Sequence, residues 1–318
     1  MNVLTIEQAT YIENLFTRRL ANYIKKCKIK NLVLGESGGL DSAKMTITCL
    51  KAIELLKREN YYCGYKFVFI DVESDPNDLV KALELAERYN FKLDVVNLTE
   101  LYHKMNSTFR KLEQETLPKI RVANGNLKCR LRLLYLFDLA QLYGGIVMDT
   151  DDLSELLMGF FTKHGDVGDV KLQQFLTKAE IYDLAEYFGM CQSILDSAPG
   201  DGLGVTKTNR AIDQLGMDYL KIDYSMSRLV GKGFNYNGSI DQLDSDFFKT
   251  LISVIAVEIG ELEEKVVHVV KQSLWTAFKR VGDDAVNLVK SRKAMKLPEL
   301  GSSEFNRIYL QAIKASSK

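Results

Sequence analysis

The chain has 318 residues, 46% of them apolar, with 42 basic and 42 acidic side chains. This is a globular composition with room for one large domain or two small ones. Zero formal net charge gives no reason to expect a nucleic-acid surface, and four prolines with no Gly/Ser/Pro-rich tract exclude long flexible linkers. Five scattered cysteines without a C-x-x-C pair fit free thiols rather than a zinc knuckle or a disulfide framework. Neither a charged-then-apolar leader nor an apolar run of about 18 residues occurs, so a soluble cytoplasmic protein without a membrane partner is expected.

Taken in order, Thr5-Ile-Glu-Gln8 has the form of a capping box, and apolar residues at helical spacing behind it predict a helix over residues 5–27. Asn31–Leu34 is a short apolar run suited to a buried parallel strand. Helical spacing returns over Asp41–Arg58. Lys66–Ile70 reads as a strand, Asp75-Pro76 opens a helix to about Tyr89, and Phe91–Val96 reads as a third strand. Leu127–Tyr143 is a leucine-rich helix closed by two glycines, and Ile146–Met148 is a fourth strand. Thr177-x-x-Glu180 caps a helix ending at Gly189. This alternation predicts an α/β fold built on a doubly wound parallel sheet, with a core over residues 1–225. Strands are hard to find beyond about residue 205. Helical segments at 240–259, 261–280 and 303–316 predict a helical C-terminal extension, residues 226–318, packed on the same domain.

The stretch Gly35-Glu-Ser-Gly-Gly-Leu-Asp-Ser42 lies between the first strand and the next helix, at the strand end where open α/β sheets bind ligands. Small residues at Ser37, Gly38 and Gly39 let backbone N–H groups approach an anion, and the helix start behind them adds positive dipole. Asp41 would repel a bare phosphate, but it suits a divalent cation such as Mg²⁺ bridging it to phosphate oxygens. No Walker lysine follows, and the loop is not G-x-G-x-x-G. Ser37–Ser42 instead resembles the pyrophosphate-binding loop of the N-type ATP pyrophosphatases, which split ATP to AMP and pyrophosphate while adenylating a substrate. The resemblance implies the Rossmann-like fold of the adenine nucleotide alpha hydrolases, and ATP contacts from Gly35, Ser37, Gly38, Gly39, Leu40, Asp41 and Ser42.

A second block, Asp149-Thr-Asp-Asp-Leu-Ser-Glu155 followed by Gly159-Phe-Phe-Thr-Lys-His-Gly-Asp-Val-Gly-Asp169, resembles the signature of ammonia-dependent NAD synthetases. So do Asn126-Leu-Lys-Cys-Arg130-Leu-Arg132 upstream, Leu176-Thr-Lys178 and Leu215–Asp223 downstream. The resemblance implies ATP-dependent amidation of deamido-NAD with ammonia through an adenylated intermediate. It places Thr150 and Lys178 on ATP, with Lys178 and Asp41 catalytic. Asn126, Arg130, Lys163, Asp169 and Lys279 fall on deamido-NAD. Asp41 and Glu155 end different strand–loop units on one crevice, and two carboxylates there suit Mg²⁺.

Several positions depart from the family pattern. Glu36 stands where an aliphatic residue is usual, tolerable if its side chain points away from the phosphates. Asp149 replaces a glycine, and Pro199-Gly200, Asn209-Arg210 and Phe278 replace other expected contacts. These departures keep open an ATP pyrophosphatase acting on another substrate, or a nucleotide-binding homologue without turnover. The chain starts about 30 residues before the loop, so the amidase domain of glutamine-dependent members is not expected. Finally, Leu131, Leu133, Leu134, Leu136 and Leu139, with Tyr135 and Phe137, make the 127–143 helix apolar nearly all round. One side can face the sheet, and a homodimer is expected to cover the other.

Overall fold

The computed structural model describes residues 2–110, 117–200, 203–206, 208, 210–280 and 285–317. Four parallel strands form the central sheet in the order β3-β2-β1-β4: β1 (Asn31–Gly35), β2 (Gly64–Asp71), β3 (Leu93–Asn97) and β4 (Gly145–Val147). Alternation along β1 sends Leu32 and Leu34 to one face and Val33 to the other. Against the first face pack α1 (Ile6–Cys27) and α2 (Leu40–Arg58). Against the second pack α4 (Thr99–Phe109) and α5 (Leu117–Tyr143), through Tyr102, Leu131, Leu133 and Leu136. Between β2 and β3 runs α3 (Pro76–Arg88), with Asp75 as its cap and proline in its first turn.

The strand order reverses at β1. Strands β2 and β3 are laid down on one side of it and β4 on the other, so the loops after β1 and β4 diverge over a crevice. Beyond β4, Met148 bridges to Val170 in β5 (Val170–Lys171), which pairs with β6 (Val286–Asn287). The loops lead into α6 (Leu153–Met158) and α7 (Lys178–Tyr187), and α8 (Gln192–Leu195) follows. The remaining helices are α9 (Ala211–Leu215), α10 (Tyr219–Val230), α11 (Asp246–Ile259), α12 (Glu263–Trp275) and α13 (Ser303–Ser316). Their apolar residues form a second core with Leu153 and Leu157 of α6.

The expected elements are present, with differences that have local causes. The helix expected from Leu127 starts ten residues earlier, at Leu117, with Pro118 in a first turn that tolerates it. The sequence gives little sign of α4, a polar helix whose buried residue is Tyr102. Helix α10, which is not among the helices expected from the sequence, buries eight of its twelve residues, serines and Asp223 among them. Residue 225, the expected end of the core, lies inside α10. Where continuous helices were expected at 240–259 and 261–280, each is split between an α-helix and a short 3-10 turn (Ile240–Asp244 and Ala277–Arg280). Asn209 lies outside the described residues. Gly200 and Arg210 form an antiparallel bridge beside it.

Candidate active site

The phosphate loop is organised from within. Gly38 has φ of +76°, and a Cβ there would sit 2.2 Å from the Asp78 carbonyl oxygen, so glycine is required on both counts. Ser37 N donates to Ser42 Oγ (3.1 Å), Gly38 N to Glu36 Oε1 (3.0 Å) and Gly39 N to Ser37 Oγ (3.3 Å). The N–H groups that the sequence assigns to an anion are thus turned onto the loop's own side chains. Glu36 is fully buried and lies under the loop, where Ser42 Oγ (2.8 Å) and Thr46 Oγ1 (2.6 Å) also donate to it. Burial pushes its carboxyl up to about 6, against the pull of those donors from Thr46, Gly38 and Ser42. Gly39 caps α2 without a side-chain hydrogen bond, and Leu40 and Asp41 open its first turn.

Opposite the loop stand the capped starts of α6 and α7. Asp152 and Glu155 form a capping box: Asp152 Oδ1 accepts from Glu155 N (2.8 Å), and Glu155 Oε2 accepts from Asp152 N (3.4 Å). Thr177 and Glu180 do the same for α7, so Lys178 is its first residue. The Lys178 ammonium then reaches Asp41 Oδ2 (2.7 Å), Asp152 Oδ2 (2.9 Å) and Glu155 Oε1 (2.9 Å). The Lys178 backbone N–H donates to Ser154 Oγ (2.9 Å), and that hydroxyl donates to the buried Asp223 (2.9 Å). Burial would lower the Lys178 pKa, but Asp152, Asp41 and Glu155 outweigh it and hold the ammonium well above the usual lysine range.

Three carboxylates share this one ammonium, and the shortage of positive charge registers on the acids. Burial, then the charge of Asp152, drives Glu155 well up, against Lys178. Burial raises Asp152 to about 6, with Asp41 adding to it and Lys178 opposing. Asp41, Asp152 and Glu155 each offer an oxygen, all within 4.8 Å of one another, and Asp41 Oδ1 is buried without a hydrogen-bond partner. Hard oxygen donors short of cationic charge suit Mg²⁺. Thr150 lies in the loop before α6, its carbonyl held by Gln173 Nε2 at 2.7 Å.

The second group of expected residues gathers on a different element, the loop 159–166. Asn126 Oδ1 accepts from Thr162 Oγ1 (2.7 Å), and the Arg130 guanidinium donates to the Lys163 carbonyl (3.3 Å). Lys163 Nζ donates to the Phe278 carbonyl (3.4 Å), while Lys279 Nζ donates to those of Gly159 (2.8 Å) and Phe161 (2.7 Å). Asp169 stands apart: its carboxylate accepts from Val147 N (2.8 Å) at the end of β4.

The sequence model of the NAD synthase family matches residues 12–258. The chain belongs to the NAD synthase family. Among its relatives, the NH(3)-dependent NAD(+) synthetase of Thermoplasma volcanium is 32% identical over 218 residues, 68% of this chain and 84% of that protein. The enzyme of the same name from Syntrophomonas wolfei is 33% identical over 202 residues, 63% of this chain and 77% of that protein. The fold is shared with the NMN synthetase of Francisella tularensis, with a TM-score of 0.62 at 23% identity, over 89% of this chain and 97% of that one.

Membership of the NAD synthase family makes this chain a nucleotide-binding ligase of NAD biosynthesis that takes ATP as a substrate. One residue of the acidic cluster, Asp152, is not among the site residues expected from the sequence. Its sequence signal is the Asp-x-x-Glu spacing before an apolar run, a capping-box pattern that puts both acids at one helix start. Glu36 meets the condition under which an acid is tolerable there: its side chain lies away from the crevice, beneath the loop, and organises it.

Proposed function

We propose that this enzyme makes NAD from deamido-NAD, ATP and ammonia, with catalysis centred on Asp41 and Lys178. The observation that carries the reading is the meeting of Lys178 with Asp41 of the phosphate loop and Glu155 of the next strand–loop unit, at the sheet's switch point. A nicotinate carboxylate oxygen of deamido-NAD attacks the α-phosphorus of ATP, and pyrophosphate leaves. Ammonia then attacks the adenylated carbonyl carbon, AMP leaves, and the surplus proton passes to water. The loop Gly35–Ser42 and the start of α2 bind and orient the phosphates, and Lys178 stabilises the charge that develops on the leaving pyrophosphate. Mg²⁺ held by Asp41 and Glu155 would add charge neutralisation there. Asn126, Arg130, Lys163 and Lys279 orient deamido-NAD along the 159–166 loop, and Asp169 acts with them by fixing the end of β4.

The relatives favour this reading over an ATP pyrophosphatase acting on another substrate. The purified protein, given ATP, Mg²⁺, deamido-NAD and ammonium, should release NAD and AMP in equal amounts. Primary release of ADP and orthophosphate would overturn it.

A homodimer is part of the proposal. Leu134 and Leu142 of α5 are 64% and 72% exposed, and Phe137 is exposed beside them, while Leu131, Leu133 and Leu136 are buried on the sheet. A self-complementary contact on that outer face would cover it, with an interface of order 2,000 Å². Light scattering should give twice the chain mass, and Leu134→Glu should lower it. Among the described residues no helix is long and apolar enough to cross a membrane, and all five cysteines are free, which supports work in the cytoplasm.

A further inference from the structure

Lys178 occupies an awkward place. It is the first residue of a ten-residue helix, where the dipole disfavours a cation, and it is held between acids supplied by two other elements. Its position therefore depends on how firmly the first turn of α7 is fixed. The chain beyond the family match, after residue 258, supplies that fixation.

Arg292, in the 3-10 turn Arg292–Met295, is buried against the start of α7. Its guanidinium grips Glu180 with two parallel bonds, Nη1 to Oε2 (2.9 Å) and Nη2 to Oε1 (2.5 Å). Glu180 Oε2 is the oxygen that accepts from Thr177 N (2.9 Å) in the capping box, so Arg292 charges and orients the cap itself. Nη1 also donates to the Phe175 carbonyl (2.9 Å), in the loop entering the helix, and Nε to that of Pro298 (2.6 Å). Phe305 of α13 lies under the guanidinium, 5.0 Å from its ring centre, and stacks on Tyr309 at 4.0 Å. The Tyr309 hydroxyl hydrogen-bonds Thr177 Oγ1, the other half of the cap. Each half of the box that starts α7 is thus held from the C-terminal segment.

We propose that Arg292 and Tyr309 are positioning residues for Lys178, and that the segment carrying them fixes where its ammonium meets the phosphates of ATP. Neither residue contacts the phosphate loop in the described structure; both act through Thr177 and Glu180. The proposal rests on the role given to Lys178 above.

Two mild variants test it. Tyr309→Phe removes one hydroxyl and keeps the stacked ring; Arg292→Lys keeps the charge and loses the fork. In folded protein, each should weaken binding of a non-hydrolysable ATP analogue about tenfold by calorimetry. The KM for ATP should rise in step, and the KM for deamido-NAD should stay within about twofold. Loss of folded protein alone would lower the active fraction and leave both KM values in place. Analogue affinity within twofold of the unaltered protein in both folded variants would overturn the proposal. The unaltered protein, assayed alongside, tests the reaction separately. If it makes no NAD and AMP, the reaction assignment fails, while the calorimetry still decides whether the segment sets ATP affinity.

Discussion

The two halves of the crevice are built on opposite plans. At the switch point, Asp41, Asp152, Glu155 and Lys178 come from three helix starts and meet directly, side chain to side chain. Along the 159–166 loop, Arg130, Lys163 and Lys279 spend their donors on main-chain carbonyls. The first arrangement is preorganised in its side chains, which short ion pairs hold at capped helix starts, while the loop N–H groups must leave the loop's own side chains for phosphates to bind. The second must exchange internal bonds for substrate bonds, so it can adapt to a ligand at the cost of giving up contacts it already makes. On the proposed function, ATP-phosphate binding and transition-state stabilisation belong to the first half and deamido-NAD binding to the second.

The sharpest test of that division is Asp41→Asn. It removes a charge from the preorganised half, and kcat should fall at least about a hundredfold, with the circular dichroism and melting profile kept. An unchanged kcat at saturating Mg²⁺ would break the comparison. Arg130→Ala strikes the adaptable half. There the KM for deamido-NAD should rise about tenfold, with kcat and the KM for ATP little changed, the mark of lost uniform binding. A fall in kcat of the same size, at unchanged KM, would mean that the loop also serves the transition state.

Glu36→Gln probes what stiffens the phosphate loop. Glu36 is a fully buried acid whose carboxyl rises from 4.5 to about 6 on folding, so between those values the native state holds the proton more tightly than the unfolded chain. Its contribution to stability is complete below about pH 4.5 and is lost as pH rises through about 6, by about 2 kcal/mol in all. Glutamine cannot ionise. The melting temperature of Glu36→Gln relative to the unaltered protein should therefore climb between pH 4 and pH 8, as calorimetry at a series of pH values would show. A constant offset would mean that Glu36 is not the group that titrates.

Much of the preorganised half was legible because its signals are short. Ser37–Ser42 between a strand and a helix, Thr177 three residues before Glu180, and Glu155 after β4 are all local patterns. The adaptable half was legible as a set of residues but not as an arrangement. Asn126, Arg130, Lys163 and Lys279 do gather on one loop, yet nothing in their spacing foretold that the lysines and Arg130 would rest on carbonyls or that Asp169 would hold Val147.

The sequence by itself determined the alternation of strands and helices, the caps of α1, α3 and α7, and the small-residue loop between β1 and α2. Each of these is set by residues a few positions apart, through φ/ψ preference, side-chain capping and alternation of burial. Only the tertiary structure decided which charges share the crevice. Lys178 meets Asp41 across 137 positions of chain, and Arg292 reaches Glu180 across 112. Such pairs depend on how whole elements pack, and their strength depends on burial, which weakens solvent screening and raises the cost of holding three carboxylates around one ammonium.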